Sequence, residues 1–302
     1  MNWLILAFLA PLLWAISNFI DKFLISKYFK SGTGTLVIYS CLIGLPVSLF
    51  ILLLKPSVVN LNLGTGLLIL LNGALFISYL FPYFKALSKA DTSTVIPLFQ
   101  TIPIFSYFLA FFILGEALSN MQILASIFVI CGAIGISLKF EERKAGFRKD
   151  VVLLMLLASI IISLNSLLFK FFAIDLDFWT VSFWQYLGFA VFGLVILLFV
   201  KSYRGDFLSS FKKNGRKVVS LNVMNELINI IAVIVFTYAI LLAPLSLVWV
   251  INGFQPLFVF FIGLTLTLFA PYLVKENLER KVILQKIFFM ILMFIGAYLI
   301  GA

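Results

Sequence analysis

Ten apolar runs, each about as long as a bilayer is thick, decide what this chain can become: residues 3–24, 34–54, 64–86, 92–113, 121–139, 151–173, 179–200, 217–240, 244–269 and 284–301. A hydrocarbon core of about 30 Å takes roughly 20 residues of helix to cross. A helix satisfies its own backbone groups, so each run can cross alone. A transmembrane barrel would instead show segments of about ten residues with alternating polarity. Composition agrees: 63% of the 302 residues are hydrophobic and 11% are charged, against roughly a quarter charged in a soluble domain. The expected fold is an all-α membrane protein with ten transmembrane helices. The first run has no basic segment before it and is too long for a cleaved signal peptide, so it is expected to stay as a span.

The connections are short and leave no room for a soluble domain; the longest, 201–216 and 270–283, are rich in Lys and Arg. No Gly-rich phosphate loop is present, so ATP-driven transport would need a partner chain. The chain has no His, which removes a His proton relay and a His metal site. Cys41 and Cys131 lie inside apolar runs without ligand spacing, and no metal or cofactor is expected.

Lys and Arg in the loops set orientation. Leaving out Lys22 and Lys170, which lie within helices, and counting helix-end residues such as Lys85, Lys139 and Lys286 with the loops they adjoin, the loops after spans 1, 3, 5, 7 and 9 carry 2, 2, 5, 6 and 4 basic residues, 19 in all, against Lys55 alone on the other side. The odd-numbered loops are therefore expected in the cytoplasm and both termini outside. Contact with anionic lipid accounts for the basic loops. With no folded polar domain to carry the charge, nucleic acid is not an expected partner.

The chain also divides. Five runs precede and five follow a charged linker at 141–150, giving a first unit at 1–140 and a second at 151–302. Ala86, Ala90, Pro103 and Phe105 match Ala239, Ala243, Pro256 and Phe258 at an offset of 153; Lys22 matches Lys170 at 148; Gly132-Ala133 matches Gly296-Ala297 at 164. An odd number of spans per half turns the second half upside down, so two inverted five-helix repeats are expected. Such repeats characterise transporters whose site lies near the midplane. Pro97 and Pro103 in span 4, with Gly253 and Pro256 in span 9, are expected to interrupt those helices.

Four stretches give the chain a family likeness. They are Pro11 to Lys22 with Trp14, Ser17, Asn18 and Asp21; Tyr83-Phe-Lys-Ala86 followed by Val95-Ile-Pro97 and Pro103-Ile-Phe105; Leu114-Gly115-Glu116-Ala-Leu118; and Cys131-Gly132-Ala-Ile-Gly135. In these the sequence resembles the EamA-like branch of the drug/metabolite transporter superfamily. The resemblance implies a secondary transporter that exports a small organic metabolite, an amino acid for example, by alternating access. It also implies a central cavity walled by spans 1, 3, 4, 6, 8 and 9, and termini in the cytoplasm. The charge count says the reverse about the termini and is followed here. Glu276, in the second half, lies beyond a longer connection than Glu116 does.

A charged group deep in a span costs about 3 kcal/mol or more and needs a reason. In span 8, Asn222, Asn225, Glu226 and Asn229 recur at i, i+3, i+4 and i+7, one face of a helix. That face is expected to wall the cavity, with Glu226 as substrate contact or proton carrier. Asn18, Lys22, Tyr79, Gln100, Asn165, Asn225, Asn229, Trp249, Asn252 and Gln255 complete the expected substrate-binding set. Lys22 and Lys170 either snorkel to the interface or face the solute. Gln100 and Gln255 either bond carbonyls freed by the prolines or face it. Trp184, Gln185 and Tyr186 are expected in an interfacial belt, and Glu116 and Glu276 as loop or cap residues.

The expected partners are a small-molecule solute and the lipid of the plasma (cell inner) membrane; a homodimer is compatible with this architecture. Two rival readings are a membrane sensor or scaffold that binds without moving solute, and a lipid-modifying membrane enzyme. The enzyme would want paired carboxylates, His or metal ligands. His is absent and Glu226 is the only acid deep in a span, so no enzyme is expected.

Overall fold

The structure, a computed structural model, describes residues 3–28, 34–90, 95–137, 149–269 and 279–301. Most of the 141–150 linker, and Glu276, lie outside the described residues. Among the described residues there is no strand. Ten of the described helical segments are long and apolar enough to cross a membrane: spans 1 to 10 are Trp3–Ile25, Gly34–Leu54, Leu63–Lys89, Ile96–Leu114, Asn120–Ser137, Lys149–Asp175, Phe178–Phe199, Val218–Leu242, Leu245–Phe269 and Arg280–Ile300.

Four spans are interrupted, and one rule explains where. A proline cannot donate to the carbonyl four residues before it. Pro46, Pro82, Pro103 and Pro256 leave Leu42, Ser78, Phe99 and Asn252 without that bond, and each break falls there. Span 2 divides between Gly34–Leu42 and Gly44–Leu54, and span 3 between Leu63–Ser78 and Leu80–Lys89. Spans 4 and 9 tighten into 3-10 turns at Ile96–Thr101 and Asn252–Phe254. The freed carbonyls of Phe99 and Asn252 accept instead from Ile102 N and Gln255 N.

Residues 201–216 are not a loop: Lys201–Leu242 is helical throughout. The segment is polar, but it holds no proline and nothing in it stops a helix. Tyr203 and Phe207 anchor its start, Phe207 on Tyr39 with ring centroids 5.1 Å apart and Tyr203 on Phe81 at 6.2 Å.

Span 9 is the most enclosed, with 78% of its most apolar stretch buried, and span 10 the least, with 22%. Around span 9 the helices pair in a pattern that survives exchange of the two halves. Span 1 packs on 8 as 6 does on 3, 4 on 6 as 9 does on 1, and 7 on 3 as 2 does on 8; spans 5 and 10, and 2 and 7, pack on each other. The contact between spans 5 and 10 repeats residue by residue. A Cβ on Gly132 would meet Phe289 O and Met293, and one on Gly296 would meet Ala125 O and Val129. Small residues here let the backbones touch.

Two apolar cores result, one around Phe169, Val248 and Phe254, the other around Ile38, Ile51 and Leu87. Tyr79, Phe99 and Trp184 pack against both. The belt expected in span 7 is not found: Gln185 and Tyr186 are buried, and Trp184 donates inward to Val58 O at 3.0 Å.

At the start of span 7, Asp177 accepts from the N–H groups of Trp179 and Thr180 and pairs with Lys55 at 2.8 Å. Partial burial pushes its carboxyl upward, but Lys55 and the Thr180 hydrogen bonds outweigh this and hold it below its ordinary value.

Candidate functional site

Between the two cores lies a largely apolar cavity with polar side chains set into its wall, with about 770 Å³ of space between its atoms when its mouth is included. Span 1 contributes Trp14, Ser17, Asn18 and Asp21, which fall at i, i+3, i+4 and i+7 and so share one helix face. Spans 3, 4, 6, 8 and 9 supply most of the rest, among them Tyr79, Phe99, Asn165, Asn229, Trp249 and Gln255. These are the six spans the family likeness implies. Span 2 adds Ser40 and span 7 adds Gln185.

Of the expected set, Asn18, Tyr79, Asn165, Asn229, Trp249, Asn252 and Gln255 are on the wall. Lys22, Gln100, Asn225 and Glu226 are not. Lys22 is one residue past Asp21 and so turned about 100° around the helix; its ammonium donates to the carbonyls of Leu87 and Ala90 at 3.1 and 3.0 Å. Gln100 is buried against Gly253. Asn225 and Glu226 stand one layer behind the wall, each tied to a residue on it. Asn225 Nδ2 donates to Asp21 Oδ1 at 2.7 Å, and Ser40 Oγ donates to Glu226 Oε1 at 2.6 Å.

Asp21 was the residue sequence reasoning passed over. It stands near the end of span 1, one residue before Lys22. The signal that finds it is the i, i+3, i+4, i+7 spacing with Trp14, the pattern that marks span 8. Gln185 was missed for a related reason, since flanking aromatics made it look interfacial. It is 1% exposed, and its Oε1 accepts from Asn72 Nδ2 and Asn165 Nδ2 at 3.4 and 3.5 Å, joining spans 3, 6 and 7.

The wall is aromatic as well as polar. Trp14 and Trp249 lie parallel within 5° with centroids 6.2 Å apart, and Phe236 packs against both. Tyr83 donates to Asn18 Oδ1 at 2.9 Å. Three wall atoms in residues only 4–6% exposed have no hydrogen-bond partner: Asn18 Nδ2, Trp249 Nε1 and Asn252 Oδ1. Buried polar groups are nearly always satisfied, and these three stand unsatisfied on residues that line the cavity. No group of three or more His, Cys, Asp or Glu suited to a metal occurs among the described residues.

Beyond one end of the cavity, Gly115 turns the chain with a φ of 68°, a conformation that suits glycine. The next residue, Glu116, then reaches the second half of the chain. Its Oε1 lies 2.5 Å from Lys170 Nζ and its Oε2 accepts from Leu245 N at 2.8 Å. Lys170 also donates to Ala243 O at 2.7 Å. The expected cap is thus a cap on another helix, the start of span 9.

The family model that matches is that of the EamA-like transporter family, over residues 1–138. No curated protein matches the sequence. A solved structure described only as the crystal structure of a protein is similar at 18% identity and a TM-score of 0.65, covering 98% of this chain and 94% of that one. That likeness concerns the fold alone.

Proposed function

We propose that this multi-pass membrane protein, whose first half belongs to the EamA-like transporter family, exports a small organic metabolite by alternating access through the central cavity. The observation that carries this reading is the cavity itself: an aromatic chamber inside an apolar bundle with polar side chains set into its wall, three of whose buried polar atoms are left unpaired. Pockets of this kind bind small molecules.

Two inverted repeats, 1–140 and 151–302, supply the moving parts. The contact pattern that survives exchange of the halves, the reciprocal glycine contacts of spans 5 and 10, and the matched breaks at Pro103 and Pro256 support that division. Interrupted helices in corresponding positions are where such transporters bind and bend.

Each repeat brings one closing contact. Lys22 holds the turn after span 3 and Lys170 the turn after span 8. With five crossings between them, these two contacts belong to opposite faces of the membrane. Opening one face releases one contact and leaves the other made.

Glu226 serves as the proton-carrying group, communicating with the cavity through the hydroxyl of Ser40. An ionisable group at such depth marks an ion path by default. The test is uptake into proteoliposomes driven by a pH gradient, with Glu226→Gln beside the wild type. The variant should keep solute counterflow and lose uphill uptake; uphill uptake that survives intact removes Glu226 from the coupling path. A screen of amino acids, nucleosides, sugars and cationic drugs for counterflow tests transport. Binding without flux for every ligand that binds would mark a sensor instead.

A further inference from the structure

We propose that the solute is a monocationic organic amine carrying a neutral hydrogen-bond acceptor, with Asp21 as its counter-charge, a reading that rests on the cavity being the transport site. Charge balance is the first argument. Among the described residues, Asp21 is the only Asp or Glu on the wall, and no Lys or Arg is on it. The neighbouring ammonium groups are engaged elsewhere, Lys22 with the carbonyls of Leu87 and Ala90 and Lys170 with Glu116. The hydrogen bond from Asn225 to Asp21 is neutral.

A buried carboxylate without a counter-charge is costly, and one positive charge on the solute removes that cost. A zwitterion brings a second carboxylate for which the wall holds no cation. An organic acid adds repulsion and no compensation.

Ring faces make the second argument. Trp14, Phe236 and Trp249 form one aromatic face of the cavity, and Tyr79 and Tyr83 form another. Organic cations bind over such faces, and the amine's apolar body packs on them.

The unpaired atoms make the third. Asn252 Oδ1 accepts from a donor on the solute. Asn18 Nδ2 and Trp249 Nε1 donate to a hydroxyl or carbonyl on the same molecule. An amine alone leaves those two donors unmet, so the acceptor belongs in the class.

The test is a charge series of nearly constant shape on the purified full-length protein in nanodiscs: phenethylamine, 2-amino-1-phenylethanol, phenylalanine and phenylacetate, each titrated calorimetrically. The two amines should bind, the hydroxylated one more tightly. Phenylalanine and phenylacetate should bind more weakly by a factor on the order of ten to a hundred, the range of a hydrogen bond to a charged group. Asp21→Asn should abolish that discrimination; if the variant does not fold, the wild-type series decides alone. Equal or tighter binding of phenylalanine or phenylacetate, or no binding of either amine, overturns the proposal. Counterflow of the same four compounds separates the two readings. Flux of phenylalanine without the amines sinks the substrate class and keeps transport; amine binding without flux keeps the class and sinks transport.

Discussion

Lys22 and Lys170 hold equivalent carbonyls: Lys22 Nζ donates to Ala90 O at 3.0 Å, and Lys170 Nζ to Ala243 O at 2.7 Å. Position for position, the lysines are 148 apart and the alanines 153 apart. The same side chain thus closes the same turn once in each half. Lys170 also pairs with Glu116, which belongs to the first half, so an ion pair ties the halves together.

Breaking that pair on one side leaves a buried charge. Removing one partner of a buried ion pair typically costs about 3–5 kcal/mol; here Lys170 and Glu116 are 8% and 16% exposed, which puts the cost toward the lower end. Lys170→Met and Glu116→Gln should each lower the unfolding temperature in detergent, and the double variant should recover part of the loss. Additive losses would show that the two groups do not act as a pair.

The seam between spans 5 and 10 should be intolerant of bulk. Gly132→Ala places a Cβ 2.3 Å from Met293 and 2.8 Å from Phe289 O. Overpacking costs typically 1–3 kcal/mol, and a clash with backbone relaxes poorly. Gly205→Ala meets nothing within 4 Å and sits inside a helix, where alanine is favoured by up to about 1 kcal/mol. Thermal melts of the two variants should move in opposite directions.

These effects show how much the sequence displays. Runs of apolar residues display the spans, because the bilayer fixes their length. Proline positions display where a helix can break, because the missing N–H acts four residues upstream, at Phe99 and Asn252, although Pro11 sits in an unbroken helix. Spacing displays which residues share a face, as with Asn225 and Glu226 in span 8. How far a face lies from the cavity depends on the helix opposite, and no local pattern records that. Ser40 of span 2 stands in front of Glu226, and Asp21, close to a helix end, reaches the wall because span 1 is pressed between spans 8 and 9. The register of one helix against another is a property of the whole bundle.

Outside the spans, Asp177 gives a pH effect of definite sign. Its folded carboxyl titrates below the ordinary value of 3.8, so its contribution is complete above that value and is lost as pH falls through the lower folded one. Asp177→Ala should lower stability at pH 7 by about 1 kcal/mol, mostly through the helix cap, since the exposed Lys55 pair adds little. The gap in melting temperature between wild type and variant should close below about pH 4. A gap that widens on acidification would contradict the assignment.

The uneven distribution of basic residues, 19 in the odd-numbered loops against Lys55 alone, makes a statement about orientation. In a background where Cys131 is serine, Lys55→Cys should react with a membrane-impermeant maleimide on intact cells, and Lys201→Cys only after lysis. The opposite labelling would place both termini in the cytoplasm.

The account stands most directly on whether solute passes the wall of the central cavity. Asn229 lines it and is partly exposed, so Asn229→Cys, again without Cys131, puts a thiol there. Counterflow in proteoliposomes, recorded before and after a small methanethiosulfonate reagent, is the measurement. The account predicts flux that falls to background on modification and is protected by excess solute. Full flux with the thiol fully modified would contradict it.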